Sequence, residues 1–250
     1  MAADNIIEAR GLTRRFHGFA AVSEVDLDVR RHSIHALIGP NGAGKTTFVS
    51  LITKFLAPSE GTIRYNGDDI TSESPARVAR RGIVRSFQIS AIFPRMTVAE
   101  NVRIALQRPL GTSFRFWQSE RSLDSLSERV DELLDAVGLT AWRDQSAAGL
   151  PYGRKRALEF ATTLALEPEL LLLDEPTSGL GSEDVDRIAE LIRKVSANRT
   201  ILMVEHNLSV VARLADTITV LARGKVLAEG PYAEVSADPR VIEAYIGGEE

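Results

Sequence analysis

The sequence contains no cysteine among its 250 residues. This absence excludes disulfides, thiolate metal ligands and thiol nucleophiles, and it agrees with a reducing compartment. Histidine is also scarce, with four residues scattered along the chain, which disfavours a structural zinc site. Thiol chemistry and zinc binding are therefore set aside as functions.

A hydrophobic run long enough for a membrane span is also lacking. The longest apolar stretch, residues 164–173, is interrupted by Glu167, Pro168 and Glu169, whereas a spanning helix needs roughly 20 apolar residues. Residues 1–5 have neither a basic cluster nor an apolar stretch behind them, so they do not resemble a secretory signal or a transit peptide. We expect a chain that stays in the cytoplasm and meets a membrane only peripherally.

No excess of positive charge is present. The 30 Lys and Arg residues are outnumbered by 34 Asp and Glu, giving a net charge of -4, which argues against nucleic acid as a partner. Basic clusters at residues 77–85 and 154–156 are typical of solvated helix faces, with phosphate or partner binding as the alternative. The content of 44% hydrophobic and 26% charged residues is that of a globular protein with a substantial core.

Strand and helix patterns alternate in the first third of the chain. Residues 25–29 alternate between apolar and polar side chains and residues 34–38 are mostly apolar, so both stretches predict strands. A glycine-rich turn and an apolar helix over residues 46–56 follow. Residues 61–67 form a short strand bounded by glycines, which indicates an antiparallel sheet beside the core.

The same alternation returns later in the chain. Residues 170–173 are fully apolar and predict a strand buried on both faces of a parallel sheet. A helix capped by Ser182, a strand over residues 200–204, a hairpin over residues 217–227 and a helix near residues 238–247 follow. This order favours an α/β fold with a mainly parallel sheet and an N-terminal antiparallel β-subdomain.

A mainly helical block separates the two groups of strands. We predict that residues 89–165, approximately, form a helical subdomain inserted in the α/β core of a single domain spanning residues 1–250. Apolar residues from Val130 to Val137 recur at helical spacing before Gly138 ends the run. Residues 108–122 are rich in Gly, Pro, Ser and aromatic residues, which indicates a surface insertion.

A phosphate-binding motif lies between the strand at residues 34–38 and the helix after it. It fits G-x-x-x-x-G-K-[ST] and comprises Gly39, Pro40, Asn41, Gly42, Ala43, Gly44, Lys45 and Thr46, followed by Thr47. The glycines let backbone N–H groups surround phosphates, and the helix points the positive end of its dipole at them. Lys45 is suited to the β- and γ-phosphates, and Thr46 to Mg²⁺. A chance match has a probability on the order of one in a hundred, which disfavours an ordinary glycine-rich turn.

Asp174 and Glu175 close the apolar strand at residues 170–173. They are expected at the carboxyl edge of the sheet, where α/β proteins bind ligands. Asp174 is suited to hold Mg²⁺ through water, and Glu175 to polarise the attacking water as general base. An isolated acidic pair after a strand is more often a solvated turn, but the upstream P-loop favours the catalytic interpretation.

The chain resembles the ABC ATPases, because a stretch similar to that family's signature sequence lies shortly before Asp174. The stretch comprises Leu150, Pro151, Tyr152, Gly153 and Arg154. A P-loop protein of another family has no reason to carry it there, and residues 178–181 occupy the position of the family's D-loop. The ordered motifs cover essentially the whole chain. The resemblance implies the ABC ATPase fold, with ATP and Mg²⁺ as cofactors.

The resemblance also implies roles for further residues. Gln88 looks like the Q-loop glutamine that senses Mg²⁺ and the attacking water, His206 like the switch histidine that contacts the γ-phosphate, and Phe16 like the aromatic residue that stacks on adenine. Their alternatives are a surface polar residue, a polar strand end and a core aromatic. The expected catalytic set is Glu175, His206, Gln88 and Lys45. The expected metal set is Thr46, Gln88 and Asp174.

The chain departs from the family pattern at the signature and the D-loop. The second signature position is usually Ser, whose hydroxyl approaches the γ-phosphate held by the other subunit, whereas Pro151 has neither hydroxyl nor backbone N–H. Tyr152 replaces the commoner Gly, and Gly181 the D-loop's usual Asp or Asn. We predict that Gly153 and the helix N-terminus behind it still dock on that phosphate, because backbone groups can bind it.

Partners follow from the same resemblance. In ABC ATPases the P-loop of one subunit and the signature of another enclose each nucleotide, which implies a second ATPase subunit, identical or paralogous. Closure with ATP and opening after hydrolysis convert phosphoryl chemistry into motion. Residues 89–94 are expected to transmit that motion to a transmembrane permease through Ile92 and Phe93. A solute-binding protein is an indirect partner, and the expected location is the cytoplasmic face of the inner membrane.

Within the family, residues 85–88, the Tyr-Gly form of the signature and residues 238–247 look like the branched-chain amino acid importers of bacteria. Urea and amide importers resemble them too, and the ATPase of the lipopolysaccharide exporter is similar, especially at its C-terminus. We therefore predict uptake of branched-chain amino acids or related small polar solutes, with lipopolysaccharide-type export as the alternative.

Other classes of P-loop protein fit the sequence less well. A soluble kinase or an ATPase outside transport would not need the signature, Gln88 and His206 in this order. An ABC-type translation factor normally carries two cassettes in one chain, and a DNA-repair relative carries long coiled coils. The sequence has neither feature.

Overall fold

The computed structural model describes residues 4–86, 92–107 and 126–246, with Ile246 described by its backbone alone. In chain order the strands are β1 (Asn5–Phe16), β2 (Phe19–Arg30), β3 (Ile34–Ile38), β4 (Glu60–Tyr65), β5 (Asp68–Asp69), β6 (Ile83–Ser86), β7 (Leu170–Asp174), β8 (Thr200–Val204), β9 (Thr217–Ala222) and β10 (Lys225–Gly230). The helices are α1 (Lys45–Ile52), α2 (Pro75–Arg80), α3 (Val98–Leu106), α4 (Ser127–Ala136), α5 (Tyr152–Leu164), α6 (Ser182–Ser196), α7 (Leu208–Leu214), α8 (Tyr232–Val235) and α9 (Pro239–Ile246).

The chain divides into two compact units. The core unit comprises the described residues of Met1–Arg85, Glu169–Ser178 and Ile192–Glu250, and the helical unit those of Ser86–Pro168 and Gly179–Leu191. The insertion predicted at residues 108–122 lies outside the described residues, and so does Gln88. The chain therefore leaves the core unit after β6 and returns to it at β7.

Two sheets form the core unit. One has the strand order β2-β1-β4-β5 and is antiparallel, and the other has the order β10-β9-β3-β8-β7-β6. In the second sheet β3 runs parallel to β8 and β9, and β7 runs parallel to β8, whereas β10 is antiparallel to β9. The predicted α/β fold, with its mainly parallel sheet and N-terminal antiparallel sheet, is confirmed.

The central strands of the larger sheet are buried over their full length. Every residue of β3, β7 and β8 is buried, in agreement with their near-continuous apolar sequences and with cover on both faces of the sheet. Their register places Leu37 and Asp174 opposite Val204. Because parallel strands end at a common edge, the residues that follow Ile38, Asp174 and Val204 emerge side by side.

Helix α1 packs on the apolar core of this unit. Phe48, Leu51 and Ile52 are buried in one cluster with residues from both sheets, among them Ile63 and Tyr65. The helix ends at Ile52, earlier than the predicted 56, because Lys54 takes a left-handed conformation with φ of 63°. A residue in that conformation ends an α-helix.

The helical unit is built from α3, α4, α5 and the first part of α6. Helix α3 begins with a capping box, in which the Thr97 hydroxyl accepts from the Glu100 N–H and the Glu100 carboxylate accepts from the Thr97 N–H. Helix α4 buries Val130 and Leu134, and it ends before Gly138, whose φ is 68°. These features specify the unit's helices locally, as the sequence pattern indicates.

Two helices refine the sequence-based expectations. Ser182 is the first residue of α6 rather than its cap, since the Val185 N–H donates to the Gly181 carbonyl at 3.0 Å. The C-terminal helix expected near residues 238–247 is α9, Pro239–Ile246. In the part of the chain that the structure describes, no helix combines the length and the apolar character needed to cross a membrane.

Candidate active site

The loop between β3 and α1 has a backbone that only glycine tolerates at two points. Gly39 has φ of 145°, and a Cβ there would lie 2.0 Å from the Leu221 carbonyl oxygen. Gly44 has φ of 103°, and its Cβ would lie 2.4 Å from the Ala21 carbonyl oxygen. Both obstacles are backbone atoms, which cannot rotate away. The loop is therefore pressed against neighbouring strands in a fixed shape.

Helix α1 starts directly from this loop. Gly44 holds the N-cap position, and no side chain caps the helix. The first backbone N–H groups of α1 are therefore available to an anion, and the helix dipole favours one there. The loop can thus bind phosphate through the backbone, as the motif predicts.

Lys45 is buried at the start of α1 and turns back into the loop. Its ammonium donates to the Gly39 carbonyl at 2.6 Å and to the Pro40 carbonyl at 3.0 Å. Burial lowers the pKa of Lys45, and the charges of Glu175 and Asp174 act in the opposite direction. The cation is therefore held beside two carboxylates at the phosphate-binding loop.

Glu175 and His206 meet at the edge of the sheet. The Glu175 N–H donates to the Val204 carbonyl at 2.8 Å, and Glu175 has φ of 49°, a left-handed backbone that a non-glycine residue adopts at a cost. Its carboxylate Oε1 lies 2.6 Å from His206 Nε2. Adjacent strands thus bring the general base and the switch histidine predicted from the sequence into contact.

Asp174 is buried at the end of β7, with 4% of its surface exposed. Its Oδ2 accepts a hydrogen bond from Arg85 Nη2, and the two side chains form an ion pair. Arg85 also approaches Ser50 Oγ on α1, at 3.3 Å. The carboxylate predicted to hold magnesium is thus paired with an arginine of β6.

The oxygens of Thr46 and Asp174 fit a magnesium ion. Both are hard oxygen ligands, the type that Mg²⁺ prefers. Among the residues that the structure describes, no cluster of three or more His, Cys, Asp or Glu could hold a metal by itself. Magnesium seldom needs such a cage, because it is usually bound by one or two carboxylates together with water and substrate phosphates.

One cleft of about 410 Å³ joins most of the predicted residues. It is lined by Phe16, Phe19, Ala21, Asn41, Gly42, Ala43, Gly44, Lys45, Thr46, Thr47, Glu175 and His206. Phe16 is 36% exposed, and the Arg14 guanidinium lies 4.7 Å from its ring centre. The cleft therefore has an aromatic end and a phosphate-binding end within the core unit.

A buried carboxylate that the sequence analysis missed supports this edge of the sheet. Glu205 accepts hydrogen bonds from the N–H groups of Thr177, His206 and Asn207, at 3.0, 2.7 and 3.0 Å. It also accepts from the Thr177 hydroxyl. Glu205 thereby fixes the backbone that follows β7 and β8. An acidic residue that ends an apolar strand beside His206 was the signal available.

Two more residues beside the cleft were not predicted. Phe19, at 68% exposure, is a second aromatic beside Phe16. Arg85 was assigned to a basic cluster and to the importer-like stretch at residues 85–88 but not to the site, and it pairs with a carboxylate of the site. Its neighbour Arg81 forms ion pairs with Glu73 and Asp68 instead. The cluster at residues 77–85 is therefore not one continuous phosphate-binding patch.

The signature-like stretch lies in the helical unit at the start of α5. Leu150 is buried, Pro151 holds the N-cap position without any side-chain cap, and Tyr152 is 51% exposed. Gly153 packs so closely on Asp184 that a Cβ would lie 2.3 Å from its carboxylate. The Arg154 guanidinium donates to the Gly138 carbonyl at 3.2 Å. The stretch thus combines an anchored start with an uncapped helix N-terminus.

Comparisons with known proteins agree with this geometry. Residues 22–178 match the family model described as ABC transporter, and residues 225–250 match the one described as branched-chain amino acid ATP-binding cassette transporter. The chain is 38% identical to the high-affinity branched-chain amino acid transport ATP-binding protein BraF of Pseudomonas aeruginosa, over 97% of this chain and 98% of that protein. It is 37% identical to the corresponding protein LivG of Escherichia coli K12, with the same coverage.

Solved structures show the same similarity. The ADP conformation of MJ1267, an ATP-binding cassette of an ABC transporter, superposes with a TM-score of 0.84 at 29% identity. The superposition covers 97% of this chain and 99% of that one. The similarity thus extends over nearly the full length of both chains.

Proposed function

The chain belongs to the ABC transporter ATPase family, and from that membership we propose that it powers uptake of branched-chain amino acids or related small polar solutes through partner permeases. As a member it binds ATP and hydrolyses it. The observation that carries the ATPase part of the proposal is the cleft in which the phosphate-binding loop, Glu175, His206 and Phe16 meet.

We propose roles for residues in and beside the cleft. Phe16 stacks on the adenine, the loop from Gly39 to Gly44 and the N-terminus of α1 bind the phosphates, and Lys45 neutralises the β- and γ-phosphates. Thr46 and Asp174 would hold Mg²⁺, and Gln88 would sense it. When bound, this ion supplies positive charge where negative charge develops on the phosphates. These assignments are proposals for this chain.

Hydrolysis then depends on Glu175 and His206. A water oxygen forms a bond to the γ-phosphorus while the bond between this phosphorus and the β,γ-bridging oxygen breaks. Glu175 accepts a proton from the attacking water. His206 orients the Glu175 carboxylate, as their 2.6 Å contact indicates, and contacts the γ-phosphate. Glu205 keeps the backbone of His206 in place through the 2.7 Å bond to its N–H.

A second ATPase subunit completes the site in this proposal. The nucleotide held by the first subunit is covered by the signature stretch of the second subunit, which comprises Leu150, Pro151, Tyr152, Gly153 and Arg154. Because Pro151 lacks a hydroxyl, the uncapped N–H groups at the start of α5 bind the γ-phosphate in place of the usual serine. Closure of the pair over ATP and opening after hydrolysis drive the permeases.

The exposure and anchoring of Phe93 support its proposed contact with such a permease. Its ring is 51% exposed, while its backbone is fixed by Asn101, whose Oδ1 accepts from the Phe93 N–H at 2.7 Å and whose Nδ2 donates to the Phe93 carbonyl at 3.1 Å. An exposed aromatic ring on an anchored backbone suits protein contact. Replacing Ile92 and Phe93 by alanine should abolish transport and spare basal ATP hydrolysis. Loss of both activities together would contradict the coupling role.

The C-terminal part of the chain supports the choice of solute. Residues 225–250 match the model described for branched-chain amino acid cassettes, and the relatives above carry that solute in their names. The solute itself would be recognised by the permeases and by a solute-binding protein. In this proposal the ATPase lies peripherally on the cytoplasmic face of the inner membrane.

The proposal is tested by isolating the native complex from detergent-solubilised membranes and identifying every copurifying chain. We expect two permease-like membrane proteins, a second ATPase subunit and a solute-binding protein. The complex is then reconstituted in vesicles to measure ATP-dependent uptake of radiolabelled leucine. Copurification with outer-membrane lipid-export components, without leucine uptake, would contradict the import proposal. A matched Glu175→Gln complex should assemble but not transport.

A further inference from the structure

The ion pair between Arg85 and Asp174 is the strongest feature of the cleft region that the proposed mechanism leaves unused. Only 13% of the Arg85 side chain and 3% of the Asp174 side chain are exposed. The two residues lie 89 positions apart in sequence. A buried carboxylate needs a partner, because desolvation strongly disfavours an isolated charge.

Arg85 is held loosely apart from this one contact. Its Nη1 makes a long 3.3 Å contact with Ser50 Oγ, and its buried Nε has no hydrogen-bond partner within the part of the chain that the structure describes. A guanidinium offers five N–H donors. Arg85 is therefore fastened mainly by Asp174, and loss of that one carboxylate contact would leave it free to reorient.

Four charged side chains around the proposed metal site compensate one another without any metal. Lys45 and Arg85 carry two positive charges, and Asp174 and Glu175 two negative ones. Both carboxylates act on the Lys45 ammonium, and Asp174 also pairs with Arg85. A divalent cation that reaches Asp174 therefore meets a carboxylate already neutralised by an arginine, and the two cations repel each other.

We propose that Arg85 is a positioning residue that competes with magnesium for Asp174 and thereby sets the magnesium concentration at which nucleotide binds as its metal complex. Arg85 keeps the carboxylate in place before the metal arrives and releases it afterwards. The inference rests on the proposed metal-binding role of Asp174 and Thr46. It concerns the ion pair of this chain, whichever solute the transporter carries.

The position of Arg85 gives this competition a consequence. Arg85 lies on β6, and Gln88 follows three positions later in the sequence. A change in the contacts of Arg85 on metal binding would begin at the strand that leads directly to Gln88. Arrival of the metal at Asp174 is thereby linked to the segment proposed to sense it.

The test measures ADP binding by calorimetry as a function of free Mg²⁺, with Arg85→Gln and with the volume-conserving Arg85→Met. Because a positive charge beside the metal is removed, we expect the Mg²⁺ concentration at half-maximal effect to fall by at least about tenfold. Affinity for ADP in EDTA should stay within about twofold of the wild type, because the phosphate-binding loop is unchanged. Direct binding of Mn²⁺ with ADP, followed by electron paramagnetic resonance, should strengthen in parallel.

Matched variants separate this effect from general damage. Arg85→Lys keeps the positive charge and should restore the wild-type magnesium dependence. Ser50→Ala and Arg81→Gln remove a weak contact and a neighbouring arginine paired elsewhere, so neither should change it. Circular dichroism shows which variants fold, and either Arg85→Gln or Arg85→Met suffices.

The possible results distinguish a failure of the competition from a failure of the proposed metal role. An unchanged or increased magnesium requirement in the folded Arg85 variants would overturn the competition. Wild-type ADP binding that does not depend on Mg²⁺ at all would instead overturn the proposed metal role of Asp174 and Thr46. A reduced requirement that Arg85→Lys fails to reverse would show that shape rather than charge is responsible, and would also overturn the proposal.

Discussion

In the core unit the functional side chains arrive from separate strands, whereas in the helical unit they stand in one continuous run. Glu175 follows β7, His206 follows β8, and Lys45 follows the loop after β3. Leu150 to Arg154, by contrast, adjoin one another at the start of α5. The parallel register brings the first group together in a cleft, so its chemistry is assembled by tertiary structure.

The two units also differ in what satisfies their polar groups. The core unit pairs its carboxylates internally, Glu175 with His206, Asp174 with Arg85, and Glu205 with backbone N–H groups. The start of α5 has no side-chain cap. In the proposed function the core unit binds nucleotide by itself, whereas the signature acts on a nucleotide held by a second subunit.

The largest expected effect is on turnover in the core unit. Replacing Glu175 by Gln keeps the side chain's shape but removes the carboxylate proposed to accept a proton from water. We expect ATP turnover to fall by about 10²- to 10⁴-fold, the usual contribution of a general base, while ATP binding is retained. Phosphate release and equilibrium ATP binding are the measurements. The control, Glu190→Gln on the exposed side of α6 in the helical unit, should leave both unchanged.

A glycine in each unit gives the most direct comparison. Gly44→Ala forces a Cβ against the Ala21 carbonyl at φ of 103°, so we expect about 1–3 kcal/mol of lost stability. ATP binding should weaken strongly, because the loop can no longer keep its shape. Gly153→Ala meets only the Asp184 side chain, which can rotate, and alanine favours a helix by about 1 kcal/mol.

Gly153→Ala should therefore spare folding and ATP binding but reduce ATP turnover. Thermal unfolding, nucleotide affinity and phosphate release are measured on both glycine variants. Unchanged turnover in Gly153→Ala would show that the start of α5 does not approach phosphate. Equal loss of ATP binding in both variants would remove the contrast between the units.

The two units should also differ in acid stability, because all four histidines lie in the core unit. Burial lowers the pKa of His35 to about 4, against a smaller opposing effect of Asp28. The neutral ring contacts Thr219 Oγ1 at 2.7 Å, and Thr219 donates to Glu229 at 2.6 Å. Since the folded pKa lies below the unfolded value of about 6.5, the unfolded state binds the proton first, and stability falls as pH drops from 6.5 to 4.

The free energy of unfolding should therefore decrease by about 3 kcal/mol over this range from His35 alone. His35→Gln, which cannot titrate there, should flatten this part of the pH profile even if its stability at neutral pH is lower. Denaturant titrations between pH 4 and pH 7 measure the slope. Equal slopes in the two proteins would contradict the role of His35.

Much of this site could be predicted from sequence because its parts are local. The loop from Gly39 to Lys45 and the pair Asp174 and Glu175 follow apolar strands, and strand ends of a parallel sheet converge. The contacts of Arg85 and Glu205 could not be predicted in this way. They join residues 89 and 28 positions apart, and local periodicity carries no information about such neighbours.

In the helical unit, local sequence patterns predict the helices but not the contacts between them. Its helices follow from capping and apolar spacing, as at Thr97 and Val130. The close approach of Asp184 to Gly153 joins α6 to α5 and leaves no trace in either local pattern. The departure at Pro151 was visible in the sequence, but the uncapped helix start required the structure.

The smallest expected effect distinguishes the aromatic residues of the two units. Phe16→Ala should weaken ATP binding by about fivefold, because one aromatic stacking contact contributes about 1 kcal/mol. Phe16→Trp should keep or improve it. Tyr152→Ala, which removes a more exposed ring from the helical unit, should leave ATP binding to the single chain unchanged.

Phe19→Ala settles which ring supports adenine, since Phe19 lines the same cleft. Fluorescence titration with a labelled ATP analogue measures all four variants. If Phe19→Ala weakens binding and Phe16→Ala does not, the adenine stacks on the ring that the sequence motif did not indicate. The contact between the Arg14 guanidinium and the Phe16 ring would then stabilise the fold rather than a nucleotide site.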